Sequence, residues 1–330
     1  MPSQATEPRV EVEILLDEAD RRSALHDATF WSLRATPKEI PAVWLYDETG
    51  SKIFEQITRL PEYYLTGAER EILVTSAGEI AAATQARTLV ELGAGTSEKT
   101  LLLLDALAAA GTLERFVPLD ASKEVLTASA EEIAGRYESL KVHAIVADFE
   151  RHLYALPPGE QRLIAFLGST IGNLYPRRRH ALFTSIAAAS GAGDWFLLGV
   201  DLVKDPAVIR AAYDDVTGVT ERFVRNVFTV VNRDLDAGFE QRLFAFEPFW
   251  DSGEEWMDIG FRSLAQQSIP IEGLDVRLEL AAEERLRIEI SAKFRLEGIA
   301  RELAAAGLTV RRTWTDRKQQ FALLLAQPEG

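Results

Sequence analysis

No cysteine occurs in the 330 residues, which excludes disulfides, thiolate metal sites and a thiol nucleophile. Long apolar runs are also missing. No stretch approaches the ~20 apolar residues that cross a bilayer. The opening Met1-Pro-Ser-Gln-Ala-Thr-Glu-Pro-Arg9 has no basic-then-apolar pattern of a secretion signal, so the expected location is the cytoplasm. Positive charge is in deficit: 36 Lys and Arg against 51 Asp and Glu leave a net charge of −15. Nucleic acids and anionic membranes need a basic face, so neither is expected as a partner. The one basic run, Arg177-Arg-Arg179-His180, follows Pro176 and reads as the solvated first turn of a helix. Repeats and low-complexity tracts are absent, and the length suits two lobes.

What the chain does carry is the stretch Leu89-Val-Glu-Leu-Gly-Ala-Gly-Thr-Ser-Glu-Lys99, an apolar strand that enters a two-glycine turn and then a helix. Gly93 and Gly95 allow a tight bend and a close approach to a ligand, while Thr96 and Ser97 are suited to capping the helix. A dinucleotide loop needs a further small residue where Glu98 stands, and a carboxylate suits a phosphate poorly. S-adenosylmethionine has no phosphate and carries a sulfonium cation. The loop therefore reads as a methyl-donor loop, with a plain strand-to-helix turn as the alternative.

Residues 1 to about 66 are mixed, loop-rich from Pro37 to Tyr64. Thr66-Gly-Ala-Glu69 has capping-box spacing ahead of a helical pattern through Ile72, Leu73 and Ile80. Regular alternation follows: strand Thr88–Leu92, helix Ser97–Ala110 stopped by Gly111, strand Phe116–Leu119, helix Lys123–Tyr137, then strands Val142–Val146, Leu163–Leu167 and Trp195–Val200. This order predicts a parallel, doubly wound sheet. Alternation stops after Asp205 and gives way to helical and then β character. Val276, Leu278 and Leu280, and again Leu286, Ile288 and Ile290, have the period of two half-buried strands, taken as paired. Helix Leu296–Ala305, stopped by Gly307, and strands Leu308–Trp314 and Gln320–Leu325 complete the sheet. The expected domains are 67–202 plus 294–330 for the sheet and 1–66 plus 203–293 for a second lobe.

In an open α/β sheet, ligands bind beyond the carboxyl ends of the strands where strand order reverses. Asp120 lies 25 positions after Gly95 and would accept from ribose hydroxyls. Asp148-Phe149 could accept from an adenine amine and pack a ring on the base. Lys99 sits in a first helical turn, where the macrodipole disfavours a cation by roughly 0.3–1 kcal/mol. A donor carboxylate would explain it, and so would an ion pair with an acid such as Glu98. Gly168 and Asn173 occupy a small polar loop suited to acceptor contacts. Arg287, Glu289 and Ser291 share one strand face, which pattern alone reads as solvated.

Five blocks change that last reading: Leu45-Tyr-Asp-Glu-Thr-Gly-Ser51, Phe54-Glu-Gln-Ile-Thr-Arg-Leu-Pro-Glu-Tyr-Tyr64, Leu89 to Thr100, Phe166-Leu-Gly-Ser-Thr-Ile-Gly-Asn-Leu174 and Asp201-Leu-Val-Lys-Asp205. Together and in this order they resemble the histidine-specific Nα-methyltransferase family, which makes hercynine in ergothioneine biosynthesis. The resemblance runs from about Thr36 to the C-terminus. It implies an α/β, Rossmann-like class I S-adenosylmethionine-dependent methyltransferase with a second α+β substrate-binding lobe. It implies three transfers to the α-amine of L-histidine, with the mono- and dimethyl forms as intermediates and S-adenosylhomocysteine as by-product.

Position by position, the resemblance places Gly93, Lys99, Asp120, Asp148 and Phe149 on the donor, with Gly168 and Tyr46 near the methyl group. Asn173 and Tyr213 match positions holding the α-carboxylate and amine, and Tyr63, Glu289 and Ser291 those around the imidazole. Ile259 stands where a family member has a methionine against the ring, a change that nearly keeps volume and apolarity. No metal is expected, and the chain is expected to act as a monomer. None of His26, His143, His152 and His180 falls in these motifs, so no catalytic base is assigned; water and a tyrosine-lined path both remain open. Methylation of a tryptophan derivative is the alternative within the fold. A nicotinamide-dependent oxidoreductase and a non-catalytic donor-binding regulator are the alternatives outside the activity.

Overall fold

The structure is a computed structural model that describes residues 9–329 apart from Thr96, Glu98 and Glu160. The readings made of residues 1–8, Thr96 and Glu98 lie outside the described residues. An eight-stranded sheet runs in the order Val10–Ile14, Lys141–Val146, Arg115–Asp120, Thr88–Leu92, Arg162–Phe166, Trp195–Asp201, Phe321–Pro328, Leu308–Thr315. The first six strands are parallel, and Phe321–Pro328 is antiparallel to both neighbours. This is the doubly wound, Rossmann-like arrangement that the resemblance implies.

Helices cover both faces, so each central strand is apolar on both sides. In Thr88–Leu92, Val90 and Leu92 join the core under helices Pro176–Ala189 and Leu296–Ala305. Leu89 joins the core under Tyr64–Thr84, Thr100–Ala109 and Lys123–Arg136. Strand order reverses between Thr88–Leu92 and Arg162–Phe166, the point in such sheets where ligands bind beyond the strand ends.

The second lobe has a sheet in the order Lys38–Glu39, Arg285–Ala292, Trp256–Ser263, Phe244–Phe246, with Phe249–Asp251 also on Trp256–Ser263. Helix Val219–Asp234 lies over it, and Phe228 packs 4.7 Å from both Phe244 and Phe261. The sheets join where strand Trp195–Asp201 ends: Phe294 N–H donates to the Asp201 carbonyl at 2.8 Å and Val203 N–H to the Phe294 carbonyl at 3.0 Å. The turn Thr170–Asn173 presses against the second sheet at Gly172, where a Cβ would lie 2.8 Å from the Ala292 carbonyl oxygen.

Several expectations need correction. The sequence predicts the whole segment before residue 67 in the second lobe, yet Val10–Ile14 pairs with Lys141–Val146 at the edge of the large sheet. The strand is not buried there, with Val12 36% and Ile14 48% exposed; backbone pairing with Lys141–Val146 along all five residues holds it at the edge. Val276–Leu280 and Arg285–Ala292 are not each other's partners: the first pairs with Gln267–Ile271, the second with Trp256–Ser263 and Lys38–Glu39. The segment from Pro37 to Tyr64 is not mainly loop, since Glu48–Ile57 is a helix that Asp47 caps by accepting from Gly50 N–H. Arg179 is buried rather than solvated, paired with Glu302 at 2.9 Å and lying over the Phe294 ring.

Candidate active site

The donor loop begins at the carboxyl end of Thr88–Leu92. Gly93 and Gly95 have φ of +68° and +50°, the left-handed region that side chains disfavour. A Cβ on Gly93 would sit 3.9 Å from the ring of Phe149, which packs 5.1 Å from Phe166, so Phe149 lies beside the start of the loop. Asp120 accepts from Gly95 N–H at 3.0 Å and Ser122 N–H at 2.9 Å. Asp148 accepts from Glu150 N–H at 2.9 Å. Ser97 is not a helix cap. Its φ is +53° and its hydroxyl donates to the buried Glu91 carboxylate at 3.1 Å. Burial pushes the Glu91 carboxyl up to about 7, against the bonds from Thr100 and Ser97 that favour its charge.

Lys99 has an anionic partner. It pairs with Glu69, whose side chain is 0% exposed and whose second oxygen accepts from Gly168 N–H at 2.8 Å. The capping-box reading of Glu69 therefore fails: helix Tyr64–Thr84 starts before Thr66, and Glu69 turns inward to join the loops after two adjacent strands. Gly199 makes room for it, since a Cβ there would lie 2.4 Å from a Glu69 oxygen.

The loop that starts at Gly168 ends at Asn173, which reaches the second sheet. Asn173 Nδ2 donates to Glu289 at 2.6 Å. Ile259 is the cross-strand partner of Glu289 and is 1% exposed, so the two share one sheet face. Two residues along, the hydroxyls of Ser291 and Tyr213 lie 2.8 Å apart. Tyr63 and Tyr213 have ring centroids 6.3 Å apart. Tyr46, 43% exposed, packs on Phe54 and Phe223, and desolvation of its hydroxyl together with the Glu289 carboxylate and the Tyr63 and Tyr213 phenols holds that hydroxyl un-ionised. Tyr46 thus stands beside Glu289, Tyr63 and Tyr213, the residues expected around the acceptor. Burial pushes Glu289 up to about 7, opposed by the Lys293 charge and the Asn173 bond.

Those last residues lead to groups that sequence reasoning missed. Lys293 Nζ donates at 2.7 Å to both Tyr213 and Ser291 and pairs with Asp201 at 2.9 Å. Asp201 also accepts from Tyr64 Oη at 2.8 Å and pairs with Lys204. Asp201 and Lys204 lie in one of the quoted blocks, and Lys293 follows Ser291 by two on the same strand face. Those positions were the available signal. Of the histidines, His143 meets Glu13 at 2.9 Å and His152 Nδ1 accepts from the Asp148 N–H at 3.1 Å.

With this geometry in hand, the sequence comparisons decide the family. The model of the histidine-specific, S-adenosylmethionine-dependent methyltransferases matches residues 25–328. The chain belongs to this family. It is 47% identical to a histidine N-alpha-methyltransferase of Mycobacterium tuberculosis over 318 residues, covering 96% of this chain and 99% of the relative. It is 46% identical to the enzyme of the same name from Mycolicibacterium smegmatis, covering 89% and 92%. A match at 30% identity to the ergothioneine biosynthesis protein 1 of Neurospora crassa covers 88% of this chain and 33% of that longer protein. Among the described residues no helix is long and apolar enough to cross a membrane.

Proposed function

We propose that this methyltransferase transfers three methyl groups in succession from S-adenosylmethionine to the α-amine of L-histidine, giving hercynine for ergothioneine biosynthesis. One observation carries the reading: a single loop, 167–173, has the Glu69–Lys99 pair at one end and the Asn173–Glu289 bond at the other. A donor at the first and a ring-bearing amino acid at the second would meet across that loop. The names of the relatives supply the acceptor, and the polar partners fit it.

When bound, the donor supplies a methyl on a sulfonium, an already activated carbon. The Glu69–Lys99 pair suits a zwitterionic amino-acid end, with Lys99 toward the carboxylate and Glu69 toward the ammonium. Asp120 takes the ribose, Asp148 and Phe149 the adenine, and Gly93 and Gly168 give close backbone approach. On the acceptor side Asn173 and Tyr213 hold the α-carboxylate and amine. Glu289 and Ser291 take the two ring nitrogens, with Tyr63 and Ile259 against the ring. Pairing both polar ends of a ring rejects an apolar ring strongly. Catalysis is then positioning and desolvation, and the tyrosines suit a quaternary cation by about 0.5–2 kcal/mol each.

We assign residues 67–202 plus 294–330, with the Val10–Ile14 strand, to the donor domain and the remainder to the substrate lobe. The enzyme works as a cytoplasmic monomer without a metal. Calorimetry with donor and histidine, followed by mass spectrometry of the product, tests the reading. The expected product carries three added methyl groups; preferential methylation of a tryptophan derivative, or none of histidine, overturns it.

A further inference from the structure

Histidine arrives with its α-amine as an ammonium, and each transfer needs a lone pair on that nitrogen. Converting the ammonium to a trimethylammonium releases three protons, so the site needs a way out for them. Tyr213, assigned above to the amine end, is buried, and its hydroxyl is bonded to Lys293 at 2.7 Å. From there the contacts continue inward and out again. Lys293 meets Asp201 at 2.9 Å, Asp201 meets Lys204 and the Tyr64 hydroxyl, and Lys204 donates to Tyr64 Oη at 2.7 Å. Lys293 and Asp201 side chains are 0% exposed, whereas Lys204 retains 9%.

A structural ion pair needs one cation for one carboxylate. Asp201 has two in direct contact, and a surplus buried positive charge is costly, so one of the lysines gives up its proton readily. We propose that Lys293, Asp201 and Lys204 form the proton exit of the site, taking protons from the substrate amine through Tyr213 to water. The proposal rests on the reading of Tyr213 as the amine contact.

The step balances without a further reactant. With Lys293 neutral, Tyr213 Oη takes a proton from the substrate ammonium and gives its own to Lys293 Nζ, leaving the lone pair on the substrate nitrogen. Lys204, charged at rest beside Asp201, gives its proton to water; Lys293 then passes a proton to Asp201 and Asp201 passes one to the now neutral Lys204, which restores the starting state of one neutral and one charged lysine. Burial lowers Lys204 to about 8 and moves Lys293 in the same direction, against the pull of Asp201 on both. The other groups facing Lys293 are Glu289 and Tyr213; those facing Lys204 are Lys293, Tyr64 and Asp316.

Lys204→Arg separates charge from proton transfer, because a guanidinium stays protonated and keeps its place beside Asp201. The measurement is single-turnover formation of monomethylhistidine from about pH 6.5, where the amine arrives charged, to about pH 10, where it arrives neutral. Lys204→Arg is expected to slow the step about 10- to 100-fold at the low end and to approach wild type at the high end. Donor and histidine affinities should hold. Lys293→Met should show the same profile wherever thermal unfolding and donor binding show it folded; if it does not fold, Lys204→Arg alone decides. An unchanged rate, or one lowered by the same factor at every pH, overturns the proton exit. A wild-type enzyme that makes no methylhistidine overturns the reading of the site instead.

Discussion

Replacing Glu289 with glutamine removes one charge while keeping the shape of the side chain, and two opposite effects follow. Burial raises this carboxyl from 4.5 to about 7. A folded-state value above the unfolded one means that the folded protein binds the proton more tightly, so wild-type stability falls as pH rises from about 4.5 to about 7. The full difference would correspond to about 3 kcal/mol, but Glu289 retains some contact with solvent, and screening reduces the expected loss to about 1–2 kcal/mol. Glu289→Gln lacks this loss and should be the more stable protein above pH 7. Histidine binding should move the other way. A glutamine oxygen can still accept from Asn173 or from an imidazole N–H, but a neutral bond contributes about 1 kcal/mol less than a charged one, which makes histidine roughly 5- to 10-fold weaker. The donor end, held at Glu69 and Lys99, should be unaffected. Denaturant titrations at about pH 5 and about pH 8 read the first effect, and calorimetry with each ligand reads the second. A variant with the wild-type pH slope, or with donor and histidine weakened alike, would refute the reasoning.

Other substitutions probe the contacts around the shared loop. Gly172→Ala drives a Cβ against the Ala292 backbone and should cost about 1–3 kcal/mol in a thermal melt, with histidine affinity lost through displacement of Asn173. Glu69→Ala leaves Lys99 and the Gly168 N–H without their shared carboxylate; donor affinity should fall about 10- to 100-fold in calorimetry while histidine affinity is kept. Ile259→Met is nearly volume-conserving, so unfolding should shift by less than about 1.5 kcal/mol and the preferred acceptor in a competition assay should stay histidine.

The central strands of the large sheet were legible because they are apolar and separated by helical periods, a signal local to each segment that the edge strand Val10–Ile14 lacks. The pairing of Val276–Leu280 was not, because period two identifies a strand and says nothing about its neighbour. The same limit explains the site. Gly93, Asp120 and Gly168 stand at strand ends, where position alone marks them. Glu69 stands on a helix, and from sequence its carboxylate has a local use that competes with the true one. Its role depends on a missing Cβ at Gly199, 130 positions away in the chain and 2.4 Å away in the fold. Lys293 escaped for a related reason: a lysine on a half-buried strand reads as surface, and only the join of the two sheets at Asp201 and Phe294 seals it. In both cases the hidden residue is a charge that the fold buries between elements distant in sequence. Chemistry borne by one segment shows in the sequence, and chemistry made by the meeting of two lobes requires the structure.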